Sequence, residues 1–216
     1  MEHADRTSPP DGALHGASAP RRTPSQARSR ERVERMLAAA SALIAEGGSD
    51  ALRMGEVAER AGVPIGSLYQ FFPDKSAVIR ALAERIQADS RACIAEALSG
   101  VRDIDGLGRA FCGLVDTYHA LFLAEPAMRD IWSGMQADKA LRALELADSR
   151  ANAEMLVAVL KRLRPAADAR QLEATALLVW QMGEATMRLA VSVDRDEGDR
   201  LVAAFKRMAI RELTEG

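Results

Sequence analysis

Apolar residues recur at helical spacing through most of the chain. The clearest segment runs from residue 29 to residue 46, and its apolar residues are Val33, Met36, Leu37, Ala40, Leu43 and Ile44. These positions follow the i, i+3, i+4, i+7 pattern of an amphipathic helix, and Gly47 and Gly48 are expected to end it. The strict apolar–polar alternation of a half-buried strand is not found in the sequence, so the pattern predicts an all-α protein.

The next segments predict two short helices followed by a long one. The short helices are expected at residues 55–61 and 64–71, with Gly62 between them, and Pro64 suits a first turn because its φ is fixed. Asp74 is expected to cap a long helix over residues 75–98, which would extend about 35 Å. Further helices are predicted at residues 107–123, 127–136, 139–163, 168–193 and 196–213.

The N-terminal segment differs in composition from the rest of the chain. Residues 1–27 hold four of the eight prolines and show no apolar period, so we predict a disordered basic arm there. Residues 21–35 carry six arginines against two glutamates, whereas residues 92–216 carry 16 basic and 19 acidic side chains. The basic run is either a solvated charged face or a segment that neutralises phosphates or enters a minor groove.

Residues 52–75, which read LRMGEVAERAGVPIGSLYQFFPDK, predict a DNA-binding unit. Two short helices joined by a tight turn form a helix-turn-helix, whose second helix can enter the major groove. Tyr69 can contact a phosphate or a thymine methyl, Gln70 can read adenine, and Lys75 lies at a helix N-terminus that favours a phosphate. The candidate DNA-binding residues are Arg53, Met54, Gly55, Pro64, Ile65, Gly66, Ser67, Tyr69, Gln70 and Lys75.

This segment resembles the TetR family of bacterial regulators. The resemblance covers residues 29–91 and is carried by Val57, Ala58, Ala61, Gly62, Val63, Gly66, Ser67, Leu68, Tyr69, Phe72, Asp74 and Lys75. It implies a three-helix DNA-binding head at residues 28–91, a long connecting helix, and a helical ligand-binding and dimerisation body at residues 92–216. Members of the family are mostly repressors that a small ligand releases from operator DNA.

The chain departs from the family pattern at three positions of the helix-turn-helix. The family usually has Thr or Ser where Arg53 stands, often has Ser where Pro64 stands, and often has a polar or basic residue where Gly55 stands. We hypothesise that Arg53 replaces a capping contact with a phosphate contact.

One predicted helix of the body is apolar on two sides. In residues 168–193, Val179 and Trp180 lie on one side of the helix and Leu178 and Leu189 on another. A helix that is apolar on two sides must be buried on both, so one side is expected to meet a second copy of the chain. The candidate dimer-interface residues are Leu178, Gly183, Met187, Leu201, Phe205 and Met208.

Large and adaptable apolar side chains of the body suggest a ligand cavity. The candidate ligand-binding residues are Phe111, Tyr118, His119, Trp132, Met135, Met155, Trp180 and Met182. For any one of these side chains ordinary core packing is the favoured interpretation, and the set as a whole suggests a cavity. If they line a cavity, the expected ligand is mostly apolar, either aromatic or an acyl chain, with Tyr118 and His119 supplying polarity.

Other classes of protein are disfavoured. No catalytic residues, metal ligands or cofactors are predicted, because the sequence lacks a nucleophile elbow, a glycine-rich phosphate loop and any Cys/His cluster at ligand spacing. It also lacks a membrane-spanning apolar run, so a cytoplasmic location is expected. The expected partners are palindromic double-stranded operator DNA, a small-molecule ligand and a second copy. Two alternatives stay open: a DNA-binding regulator or scaffold without small-molecule sensing, and, more remotely, an enzyme that uses the helical body.

Overall fold

The computed structural model describes residues 24–137 and 139–215, and every regular element within these ranges is an α-helix. The helices are α1 Pro24–Ala51, α2 Met54–Ala61, α3 Ile65–Phe71, α4 Lys75–Ser99, α5 Ile104–Ala124, α6 Pro126–Ala137, α7 Lys139–Leu163, α8 Ala169–Ala190 and α9 Arg195–Glu215. The predicted all-α fold is therefore confirmed, with most boundaries displaced by only a few residues.

The first helix begins earlier than predicted. Residues 24–27, which we assigned to the disordered arm, belong to α1, and a proline at its start is compatible because the first N–H groups of a helix have no intrahelical partner. The rest of the predicted arm, residues 1–23, lies outside the described residues. At the other end, Gly48 interrupts α1 with a φ of 82°, a value that favours glycine. The helix break predicted at this pair of glycines is confirmed.

Aspartate side chains fix the starts of three of the longer helices. The Oδ1 atoms of Asp74, Asp103 and Asp168 accept hydrogen bonds from backbone N–H groups two or three residues further on, at 2.8, 2.6 and 2.9 Å. Each satisfies a donor that the helix itself leaves free, which typically contributes about 1 kcal/mol. The prediction that Asp74 caps the long helix is confirmed.

The buried side chains form two hydrophobic clusters, which we call the head core and the body core. The head core joins α1, α2, α3 and the first half of α4, and it also contains Ala127, Ile131 and Met135 of α6 and Leu141 of α7. The body core joins the second half of α4 with α5, α7, α8 and α9. A division of the chain at residue 91 is therefore incomplete, because α6 packs against α1 and shares the core of the head.

Candidate DNA-binding surface and ligand cavity

Gly62 shapes the turn between α2 and α3. Its φ of 64° and ψ of 42° lie in the left-handed region, which glycine adopts without steric cost. The N–H of Gly62 donates to the carbonyl oxygen of Glu59 at 3.1 Å, and the N–H of Val63 donates to that of Ala58 at 3.0 Å. This pair of hydrogen bonds is a Schellman motif, which closes α2 and directs the chain into α3. The two helices form the predicted helix-turn-helix.

One face of α3 is held against the head and the opposite face is open. Leu68 is fully buried and Phe72 nearly so, which anchors the helix. The side chains of Ile65 and Tyr69 are 45% and 50% exposed. Together with the exposed Gly66 and Gln70 they form the surface that we call the recognition face. It combines apolar groups that fit thymine methyls with a hydroxyl and an amide that can bond base edges or phosphates.

Four more of the predicted DNA-binding residues border this face. Pro64 is the N-cap residue of α3 and does not lie in the first turn as predicted, because its ψ of 139° is extended. The hydroxyl of Ser67 accepts a hydrogen bond from Arg32 at 3.4 Å. Gly55 is exposed on α2, whereas Met54 is half-buried against the head core and so helps to hold α2 in place.

The two predicted phosphate-binding cations have different surroundings. Arg53 is the N-cap residue of α2 but forms no side-chain capping hydrogen bond. Its side chain is 80% exposed and lies 3.7 Å from the Glu56 carboxylate. The Lys75 ammonium donates to the carbonyl oxygen of Asp50 at 3.1 Å, which ties the start of α4 to the end of α1. An ammonium has three donors, so this bond leaves capacity for a phosphate.

Arginines of α1 lie beside the helix-turn-helix. The Arg35 guanidinium is 4.0 Å from the position that a Cβ would take at Gly62, and Arg32 reaches Ser67. Two other cations of the head are paired: Arg60 with Glu46 at 2.5 Å, and Arg85 with Glu34. Positive charge from α1 therefore flanks the recognition face, as expected for a surface that meets a phosphate backbone.

A cavity lies in the body among α4, α5, α6, α7, α8 and α9. It is lined by Gln87, Ser90, Phe111, Leu114, Val115, Tyr118, Phe122, Trp132, Asp148, Asn152, Val179, Trp180, Gly183, Glu184, Met187 and Phe205. Within it, the centre of a water molecule can move through about 70 Å³. Since one water needs roughly 10–15 Å³ of such space, the cavity has room for on the order of five waters or one small ring.

Half of the predicted ligand-binding residues line this cavity. They are Phe111, Tyr118, Trp132 and Trp180.

The other four predicted ligand-binding residues do not line the cavity. Met135 is buried in the head core, because its side of α6 packs against α1. His119 is buried with Nδ1 at 3.7 Å from an Asp199 carboxylate oxygen, towards α9. Met155 and Met182 pack against the body core without reaching the cavity. The structure does not bring these four side chains to this cavity, because apolar periodicity does not reveal which neighbour a side chain meets.

A buried network of polar side chains forms one part of the cavity wall. The Glu184 carboxylate accepts hydrogen bonds from the Ser149 hydroxyl at 2.8 Å and from the Gln181 amide at 3.0 Å. Asp148 is ion-paired with Arg91 and accepts a hydrogen bond from the Asn152 amide nitrogen at 3.1 Å. Burial raises the pKa of Glu184 to about 7 and also raises the pKa of Asp148, because both carboxylates lose water.

Sequence reasoning missed this network, although the sequence held a signal for it. Asp148 and Asn152 are four residues apart and therefore lie on the same face of α7. Glu184 lies one turn from the apolar Trp180 and Met187 on α8. Polar side chains inside an apolar helical stripe must find partners when buried, so they mark a site worth examining.

The predicted dimer-interface residues separate into two groups. Leu178 and Met208 are 61% and 50% exposed, and Leu201 is half-buried, so these three are available to a second copy. Gly183, Met187 and Phe205 instead line the cavity within the subunit, where Met187 and Phe205 are buried. The reason is that α8 turns this side towards the ring of Phe205, 3.3 Å from where a Cβ would stand at Gly183.

Among the described residues, no group of His, Cys, Asp and Glu side chains is arranged to hold a metal ion. The helices of the described chain also include none with the length and apolar character needed to cross a bilayer.

A helix-turn-helix head joined to a helical body with an internal cavity is typical of DNA-binding regulators. Comparison with known families agrees with this class. Residues 36–82 match the model described as bacterial regulatory proteins, tetR family, and residues 105–216 match the tetracyclin repressor-like C-terminal domain. The chain belongs to the TetR family.

Individual relatives resemble this chain over different lengths. The HTH-type transcriptional repressor KstR of Rhodococcus jostii (strain RHA1) is 45% identical over 64 residues, which are 29% of this chain and 30% of that protein. The match thus spans less than a third of the curated relative. A TetR-family regulator from Streptomyces coelicolor has 29% identity and a TM-score of 0.65, over 86% of this chain and 97% of that chain. RolR, solved in complex with resorcinol, has 21% identity and a TM-score of 0.59, over 88% and 97%.

Proposed function

We propose that this TetR-family chain is a homodimeric transcriptional repressor that binds palindromic operator DNA through α3 and leaves it when a small molecule occupies the body cavity. The recognition face carries the proposal. Ile65 and Tyr69 stay at the surface of a helix that Leu68 anchors to the head core. Exposed apolar and hydrogen-bonding groups on a rigid helix suit base readout in the major groove.

Dimerisation is supported by the outer faces of α8 and α9. Leu178 and Leu189 of α8 are 61% and 50% exposed and lie eleven residues apart, close to three helical turns. Leu201 and Met208 lie two turns apart on α9. Such apolar stripes are costly in water, and pairing them with the same stripes of a second copy would bury both. A dimer would also present two copies of α3 to successive major grooves, about 34–36 Å apart or a multiple of that distance.

Helix α6 offers a route between the cavity and the head. Trp132 lines the cavity and packs edge-to-face on Phe122, with ring centroids 5.3 Å apart. Its neighbour Ile131 is buried in the head core. Gly134 meets Ser49 so closely that a Cβ there would stand 2.8 Å from the hydroxyl. Because Ser49 follows the break in α1 and precedes α2, a ligand that displaced Trp132 would shift the support of the helix-turn-helix.

We infer the kind of ligand from the cavity of this chain and not from its relatives. RolR binds resorcinol, but at 21% identity the likeness carries only the fold. The size of the cavity favours a compact molecule over a long acyl chain. The proposed role requires contact with the chromosome, which places the protein in the bacterial cytoplasm. In keeping with a regulatory role, no reaction is assigned to the cavity.

Selection of bound sequences from a random library of DNA duplexes tests the proposal. The expected result is a palindrome whose half-site centres lie about 10–10.5 base pairs apart or a multiple of that spacing. Tyr69→Ala should abolish the enrichment, whereas Leu121→Ala, which removes a comparably apolar exposed side chain from the body, should leave it intact. Protein that enriches no sequence, even at low salt, would overturn the proposal.

A further inference from the structure

The polar wall of the cavity indicates what kind of ligand it takes. Asn152 is only 2% exposed and lines the cavity, and its Oδ1 atom is buried without a hydrogen-bond partner. The amide cannot simply be turned over, because its nitrogen donates to the Asp148 carboxylate at 3.1 Å and the amide oxygen would then face that carboxylate. A buried acceptor is therefore left unsatisfied beside the cavity, and buried polar atoms in folded proteins normally have partners.

The charge around the cavity favours a ligand group that donates a hydrogen bond and carries no negative charge. The described side chains that line it include the carboxylates of Asp148 and Glu184 and no lysine, arginine or histidine. Behind the wall, Arg91 is paired with Asp148, and Arg188 lies 3.5 Å from Glu145. Neither guanidinium lines the cavity, so a carboxylate or phosphate on the ligand would add a buried negative charge beside Asp148 and Glu184, with no cation in the described wall to receive it.

The wall also carries the hydroxyl groups of Ser90 and Tyr118. Burial raises the pKa of Tyr118 to about 12, so its phenol group stays neutral and adds no charge to the wall. The wall also includes the aromatic side chains Phe111, Trp132 and Trp180. The cavity therefore combines buried acceptor groups with aromatic surface.

We infer that the ligand is a compact aromatic molecule that carries a hydrogen-bond donor, either a hydroxyl or an ammonium group, and no anionic group. The donor binds at Asn152 and the neighbouring carboxylates, and the ring packs between the aromatic side chains. This inference rests on the proposed function of the cavity as the effector site.

Tryptophan fluorescence measures occupancy directly, because the only two tryptophans of the chain, Trp132 and Trp180, both line the cavity. The full-length protein is titrated with four single-ring probes: phenol, benzylamine, toluene and benzoate, with excitation at the red edge of the tryptophan band. We expect phenol or benzylamine to bind at least about tenfold more tightly than toluene, which matches phenol in size, and than benzoate. Whichever of phenol and benzylamine binds more tightly shows whether the site prefers a hydroxyl or an ammonium group.

Two variants locate the donor site. Asn152→Leu should bring the affinities for phenol and toluene to within about twofold of each other, whereas Met155→Leu, on the same helix but outside the cavity wall, should leave their ratio unchanged. If Asn152→Leu does not fold, the four probes on the unmodified chain still decide the question. The inference would be overturned if benzoate or toluene bound as tightly as both phenol and benzylamine. It would also be overturned if none of the four probes changed the fluorescence. Selection of operator DNA is carried out in parallel. If the probes fail but the protein still selects an operator, only this inference is overturned. If DNA binding is also absent, the proposed function fails.

Discussion

Gly66 offers a test that separates the stability of α3 from its contact with DNA. This residue lies in the first turn of the helix, and a Cβ built there has no atom within 4 Å outside the local backbone. Replacing it with alanine therefore introduces no clash and lowers the conformational freedom of the unfolded chain. At such a position we expect Gly66→Ala to stabilise the protein by about 0.5 kcal/mol, the low end of the alanine–glycine difference in helices.

The effect on DNA binding is expected to have the opposite sign. If the recognition face enters the major groove, the added methyl group stands where the backbone approaches the base edges. We expect at least about a tenfold loss of affinity for the selected operator, equivalent to about 1.4 kcal/mol. Thermal unfolding, in which the melting temperature should rise by about 1–2 °C, and operator titration measure the two effects on the same preparation.

Gly113→Ala is the matched control. Gly113 also lies within a helix with no atom within 4 Å of its built Cβ, but it belongs to α5 in the body. It should give a similar or slightly larger stabilisation and leave operator affinity unchanged. Operator binding by Gly66→Ala as tight as that of the unmodified chain would refute the placement of α3 in the groove at this residue.

Three further changes test other parts of the account. Arg53→Ala should weaken operator binding and lower the salt dependence by about one counterion while leaving stability unchanged, because the side chain is 80% exposed and only loosely paired. Leu178→Glu should shift sedimentation from dimer to monomer, because it places a charge in the apolar stripe of α8. Glu184→Gln should flatten the pH dependence of stability between about pH 4.5 and 7. Burial raises the Glu184 pKa from 4.5 to about 7, so the contribution of Glu184 to folding stability is present at low pH. That contribution, on the order of 3 kcal/mol, is lost as the pH rises through 7.

Each of these three outcomes has a control or a contrary result. An unchanged salt slope for Arg53→Ala would show that this side chain contacts no phosphate. Leu146→Glu, at an exposed leucine of α7, should leave the dimer intact, and equal dissociation by both variants would remove the case for α8 as the interface. If the unfolding midpoints of Glu184→Gln and the unmodified chain keep a constant difference from pH 4.5 to 8, Glu184 does not titrate in the folded protein near neutral pH.

Local features of the chain were predictable because their causes are local. The turn at Gly62 depends on a left-handed backbone that glycine adopts freely, and the start of α4 depends on a hydrogen bond that the Asp74 carboxylate accepts from the backbone N–H three positions further on. Both depend on interactions within a few residues, so their sequence spacing is informative. The same reasoning explains why Ile65 and Tyr69 could be placed on one open face of α3 while Leu68 was placed inside.

Contacts between distant helices could not be predicted in the same way. Helical periodicity identifies an apolar face but not the helix that covers it, so Met187 and Phe205 were assigned to a dimer interface although both line the cavity within one subunit. Met135 was assigned to the ligand cavity although α6 turns it towards α1. A search for a cavity among apolar residues alone also overlooked Asn152, which becomes informative only once its burial is known.

The central claim is that α3 of each subunit reads base pairs in one half of a symmetric operator, and the most direct test is a change in sequence preference. Operator selection with Gln70→Ala should relax the preference at one base pair in each half-site, at symmetry-related positions, and leave the other positions unchanged, because Gln70 is exposed on the recognition face. An identical selected sequence for the variant and the unmodified chain, or a change confined to one half-site, would contradict the claim.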